Sequence, residues 1–229
     1  MGMHIGLIAA RTSATRFREA FSRTWRRFEV VESVEHLADA DEIENWRESH
    51  EQFVSAANWS RDNPGREVYA FWQDGPWAVM MDGSYTLATD EAALRSLSNE
   101  FGTAVSFVVE TAGGCADFWC FEQGDLRRRI SNADGKVTTA GDPLPQEAGI
   151  DTAHYYMDET EALWKAFGLS PIYDNPTSHE CQAVCVIDRT DYGGIADDPS
   201  RQPSSGVQTA REVPSVKRPS PKRSWWKLW

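Results

Sequence analysis

Four cysteines and five histidines are the residues of this chain best suited to metal or nucleophilic chemistry. Cys115 and Cys120 make one pair, Cys181 and Cys185 a second, and His179 stands just before the latter. Thiolates and an imidazole could be assembled into a zinc site on paper. The spacing argues against it. If Cys115 and Cys120 share a strand, they point to opposite faces of a sheet. Small buried thiols are the expected outcome. A cysteine nucleophile would need an imidazole beside it in space. His36, His50, His154 and His179 are the candidates, and no spacing selects one of them. No catalytic residue, metal ligand or cofactor site is therefore expected.

Carboxylates are abundant, as in residues 39–51 and in Asp158-Glu159-Thr160-Glu161. A charge run is usually a solvated face, and no pair stands out as an acid/base couple. Glycine-rich phosphate loops, a G-x-S-x-G nucleophile elbow and an H-E-x-x-H zinc motif are all absent. Arg11-Thr12-Ser13 precedes a helix start, where an anion could bind. An ordinary helix cap is the expectation there.

The binding chemistry is concentrated in the last residues. Pro214 to Arg223 is cationic and partly polyproline-like, and it leads into Trp225, Trp226, Lys227, Leu228 and Trp229. Tryptophan beside lysine suits an aromatic anchor or a membrane interface. Docking on another protein is the leading expectation. A membrane surface and folding back on the chain's own body are the alternatives.

The rest of the chain must position or oppose this anchor, and its charge is uneven. The net charge is −12. From Pro199 to Trp229 there are seven basic residues and one acidic residue, which leaves 16 basic against 34 acidic in residues 1–198. An acidic body of charge −18 repels nucleic acid and anionic membrane, so neither is an expected partner for it. The arginines around Phe17, Phe21 and Trp25 are then expected to pair internally or with a partner protein. The longest apolar runs, such as Ile5–Ala10, fall far short of the roughly 20 residues a spanning helix needs. Four cysteines do not make a secreted disulfide scaffold, and the N-terminal stretch is a poor export signal. A cytoplasmic location follows.

Periodicity places the elements. His4–Ala10 reads as a buried strand, Ser13 to Trp25 as a helix with an aromatic stripe, and Phe28–Val34 as a strand, a β-α-β start. Residues 38–64 read as loop plus irregular helix. Glu67–Trp72 and Trp77–Met81 flank Asp74-Gly75-Pro76, a hairpin signal. Thr89 is placed as the cap of a helix running from Asp90 to Phe101, and Gly102 ends it. Thr103–Glu110, Ala116–Phe121, Leu126–Ile130 and Lys136–Thr139 are strands. Asp158 starts a helix with Glu161 as a capping-box partner, Gly168 stops it, and Cys181–Ile187 is the last strand. The fold class is α+β, a mainly antiparallel sheet with packed helices. It spans residues 1–188, followed by a disordered Pro/Ser/Arg-rich linker (189–224) and a Trp-rich motif (225–229).

Residues 67–168 resemble small, uncharacterised bacterial α+β proteins, some of which sit beside polymorphic toxins as immunity proteins. The residues that carry the resemblance are Trp77 to Gly83, Leu94 to Ser98, Phe118 to Leu126, and Glu161 to Leu169. They form a strand, a helix, a glycine-turn hairpin and a second helix. The resemblance covers less than half the chain and brings no catalytic motif with it. It implies binding rather than chemistry. The expected function is thus a cytoplasmic protein-interaction factor of inhibitor or immunity type. An enzyme with a site between sheet and helices, and a peripheral membrane protein held by its tail, are the alternatives.

Overall fold

The computed structural model describes residues 4–54, 64–171 and 179–189. The expected linker from residue 190 onward and the anchor Trp225–Trp229 lie outside the described residues. The chain order is β1 (His4–Ala10), α1 (Ala14–Thr24), β2 (Phe28–Leu37), α2 (Ala40–His50), β3 (Glu67–Asp74), β4 (Trp77–Asp82) and α3 (Glu91–Phe101). It continues through β5 (Thr103–Glu110), β6 (Cys115–Glu122), β7 (Asp125–Ala133), β8 (Lys136–Ala140), α4 (Met157–Ala166) and β9 (Cys181–Asp188). The strands form one nine-stranded antiparallel sheet in the order β2-β9-β3-β4-β1-β5-β6-β7-β8. The class is α+β, as the periodicities require.

β1 lies at the centre. It pairs with β4 from Gly6↔Asp82 to Ala10↔Ala78, and with β5 from His4↔Glu110 to Ala10↔Ala104. Its near-continuous apolar sequence reflects burial on both faces. Ile8 and Ala10 join a core under α1 and α3, whereas Leu7 and Ala9 join a second core under α2 and α4. Hydrophobic alternation belongs to sheets with one wet face, and this sheet has helices on both.

The β-α-β start is real, but its two strands are not neighbours. α1 carries the chain across one face and delivers β2 to the far edge, beside β9. Four successive antiparallel pairings separate β1 from β2, so the two run parallel. β2 is an edge strand whose pairing with β9 is broken at two places, and its Glu29, Glu32 and Glu35 are exposed. Bulges and charges of this kind discourage edge-to-edge association.

The aromatic stripe of α1 is core. Phe17, Phe21 and Trp25 are all buried, and Phe21 packs within 6.0 Å of the rings of Trp25, Phe28, Tyr69 and Phe71. On the opposite face Trp164 of α4 and Phe167 just beyond it meet Phe107 and Phe118 at 5.0–5.7 Å. The end of α4 is pinned to the β3–β4 hairpin: Trp77 Nε1–H donates to the Phe167 carbonyl at 3.0 Å, and buried Asp74 accepts from the Ser170 amide at 2.7 Å.

Three helix starts differ from expectation. The first cap of α3 is Asp90, whose side chain accepts from the Ala93 amide, and Thr89 bonds backward to the Tyr85 and Thr86 carbonyls. The carboxylate is the stronger acceptor for an amide at a positive helix end. α4 begins at Met157, and Glu159 rather than Glu161 reaches back to the Tyr156 amide. Residues 40–50 form a regular helix rather than an irregular one, with Asp39 as its N-cap.

Among the described residues one ion pair is buried. Arg128 of β7 donates twice to Glu147, Nε and Nη2 each at 2.9 Å, and Nη1 donates to the Gly141 carbonyl at 2.8 Å. The pair clips the connector after β8 onto the sheet. Gly141 is required there, because it sits at φ +77° and a Cβ would lie 2.0 Å from the Arg127 carbonyl oxygen.

Truncating Phe21 to Ala should cost about 3–5 kcal/mol, since the side chain is fully buried among four rings. Glu147→Ala should cost a similar 3–5 kcal/mol by leaving the Arg128 charge buried without its partner, and replacing both residues by Met and Leu should restore much of it. Urea unfolding checks both, and unchanged midpoints would refute the assignments.

Candidate functional site

On the face covered by α2 and α4, the start of β1 and the adjoining ends of β3 and β4 floor a cleft of about 600 Å³. That volume lies in the range of ligand and side-chain pockets. Register decides its floor. Ile5 and Leu7 of β1, Met81 of β4, and Val68 and Ala70 of β3 all point to this face, because alternate residues of paired strands share a side. Ile43 of α2 adds a wall. At one corner the loop after β4 approaches β1 so closely that a Cβ on Gly6 would lie 2.6 Å from the Asp82 carbonyl oxygen. Asp82 holds that loop. Its buried carboxylate accepts from the Ser84 amide and hydroxyl and from the Leu87 and Ala88 amides at 2.7–3.1 Å.

The rim is charged. Five carboxylates line the cleft against two arginines, Arg47 and Arg66: Glu44 and Glu51 come from α2 and its C-cap on the floor's side, whereas Glu67, Asp82 and Asp188 alternate with the floor residues and sit on the other side of the sheet's end. Arg47 spans α2 to its C-cap, donating to both oxygens of Glu44 at 3.0 and 3.1 Å and to Glu51 at 2.8 Å. Burial raises the Glu51 carboxyl above the usual carboxylate range; Arg47 opposes this, while the charges of Glu67 and Glu44 add to it. Gln52 and Arg66 exchange backbone hydrogen bonds at 3.0 and 2.9 Å and close one end of the cleft. Beside them Phe53 is 92% exposed, an aromatic ring held at the rim without a core to enter.

The residues singled out for chemistry do not converge. Cys115 and Cys120 share β6 and Cys181 and Cys185 share β9, all as free thiols. Burial pushes Cys120 and Cys181 up to about 12 and raises Cys185 as well. A thiol so shifted is not a nucleophile at neutral pH. Three of the imidazoles take carboxylate or carbonyl partners instead: His36 lies 2.6 Å from Glu180, His154 lies 2.8 Å from Asp151, and His50 lies 2.7 Å from the Trp46 carbonyl oxygen, whereas the buried His179 Nε2 has no hydrogen-bond partner among the described residues. Donating a hydrogen bond to those carboxylates raises His36 and His154 above the ordinary imidazole value. Among the described residues no three His, Cys, Asp or Glu side chains form a group that could hold a metal ion. No helix among them is long and apolar enough to cross a membrane.

The other sequence features resolve as structure. Ser13 accepts from the Arg16 amide and Gln73 accepts from the Ala14 amide, an ordinary cap for α1. Arg18 pairs with Glu35, Arg23 with Glu100, and Arg27 reaches Asp188, so the arginines of the first helix are largely spent within the body. The cleft itself was missed by motif reasoning. Its one local signal was Asp39-x-x-Glu42, a capping pattern in which Asp39 accepts from the Glu42 amide and Glu42 accepts from the Ala38 amide. That pattern would have marked α2 and hence the wall.

In the native protein a thiol-specific chromogenic reagent at neutral pH should label the partly exposed Cys115 promptly, and Cys120, Cys181 and Cys185 only after denaturation. Rapid labelling of more than one thiol would contradict the burial. Set against protein-family models, curated proteins and solved structures, the chain matches none, and the reading of the cleft rests on its own chemistry.

Proposed function

We propose that this protein is an interaction factor that binds a cationic segment of a partner protein in the cleft between α2 and the central strands. One observation carries the reading: a cleft with an apolar floor is lined by more carboxylates than arginines, on a body whose own net charge is strongly negative. An apolar or aromatic side chain of the partner fills the floor over Leu7, Val68 and Met81, and its lysines or arginines meet Glu51 at the rim. Complementary charge of this kind speeds encounter and selects among partners more than it adds raw affinity. The polar groups of the cleft are engaged with one another, Arg47 with Glu44 and Glu51, and Tyr69 with Glu67. That arrangement suits recognition better than proton transfer. An acidic body closing on a basic partner is how an inhibitor or immunity-type protein of the cytoplasm would act, in keeping with the resemblance of residues 67–168.

The test is titration with a short lysine-rich peptide carrying one tryptophan, against a matched glutamate-rich peptide, followed by methyl NMR. The cationic peptide, at up to millimolar concentration, should shift Ile5, Leu7, Val68 and Met81, and the acidic peptide should not. Phe53→Ala and Glu51→Gln should each weaken binding by about tenfold with little change in melting temperature, as expected for an exposed anchor and a rim charge. A body that ignores the cationic peptide, or binds both peptides equally, would overturn the proposal.

A further inference from the structure

We infer that the cleft is also the docking site for this chain's own residues 225–229, which compete in cis with the partner segment. The inference rests on the reading of the cleft given above. Its first support is where the tether starts. Asp188 lines the cleft, and the next residue is fixed: the Arg189 amide donates to the Arg27 carbonyl at 2.7 Å, and its guanidinium meets Glu29 at 2.7 Å. The chain therefore leaves the sheet from the cleft's own rim. Residues 190–224 then supply 35 positions of tether. A random coil of that length would span on the order of 30 Å and would close a loop at modest entropic cost. Tethering of this kind sets an effective concentration near the millimolar range, so even a weak segment occupies its site.

The second support is complementarity. The cleft offers an apolar floor and a lining in which carboxylates outnumber arginines, with Glu44 and Glu51 on the floor's side and the exposed ring of Phe53 beside them. The tether delivers Trp225, Trp226, Leu228 and Trp229 for the floor, together with Lys222, Arg223 and Lys227 for the rim. Each half supplies what the other lacks. Glu51, raised by burial and by the neighbouring Glu67 and Glu44 charges, is relieved when a cation arrives. The tail then acts as an internal pseudo-ligand. A partner must displace it, so a cationic segment binds the full chain more weakly than it would bind the open cleft, and still binds at millimolar concentration.

The experiment compares the full chain with a full-length Trp225→Ala, Trp226→Ala, Trp229→Ala variant, each titrated with a fluorescent synthetic peptide of residues 214–229. The variant should bind the peptide ten- to a hundred-fold more tightly than wild type, on the order expected when a tethered competitor is removed. Adding Phe53→Ala or Glu51→Gln to the variant should weaken that binding again, and a scrambled peptide should bind poorly. Equal peptide affinity in wild type and variant would overturn the cis inference while leaving the cleft as a site. No binding to either form would overturn both. Equal binding of the scrambled peptide, or transfer of the wild-type tail to anionic vesicles regardless of order, would assign the tail to a membrane surface and overturn the inference.

Discussion

β1 is paired along both edges and buried on both faces, and the rest of the protein is arranged around that double burial. Two cores exist because β1 divides them. Ile8 and Ala10 look toward α1 and α3, and Leu7 and Ala9 toward α2 and α4. Small residues at Ala9 and Ala10 let both layers approach the sheet closely, and any larger side chain there would have to displace packed neighbours. The same strand sets the cleft, since Ile5 and Leu7 lie on its floor.

Polar groups are used to fasten connections rather than to react. The Asp82 carboxylate shapes the loop after β4, Asp74 holds the segment after α4, and Glu147 with Arg128 holds the connector after β8. Each buried carboxylate has its donors, as burial requires. The cleft differs in that two of its carboxylates, Glu51 and Glu67, are exposed at its opening, where a partner can meet them. That contrast between satisfied interior carboxylates and rim carboxylates separates scaffold from surface in this protein.

Much of the architecture was legible because it is local. The run Ile5–Ala10, the stripe Phe17, Phe21, Trp25, the hairpin at Asp74-Gly75-Pro76 and the strand Thr103–Glu110 each announce themselves over a few residues. α2 was under-read because its many acids masked a sparse apolar face of Ile43 and Trp46 and a capping pattern at its start. The cleft was not legible at all. Ile5, Val68 and Met81 become neighbours only through the strand order β3-β4-β1, and that order is a property of long-range pairing. The tie between Asp74 and Ser170, 96 positions apart, is invisible for the same reason. The tail residues were singled out by composition alone, and they lie outside the described residues.

The place of β9 between β2 and β3 has a consequence for synthesis. β2 and β3 are made early, yet the strand that joins them is made last, with Glu67 waiting for Val186. On the ribosome the growing chain therefore carries a gap one strand wide, bordered by two unsatisfied edges, until residues 181–188 emerge. Folding that must wait for such distant pairing is slow and exposed to misassembly. A nascent or truncated chain lacking β9 presents a ready slot for a foreign strand, and the cell's chaperones would meet this protein first at that slot.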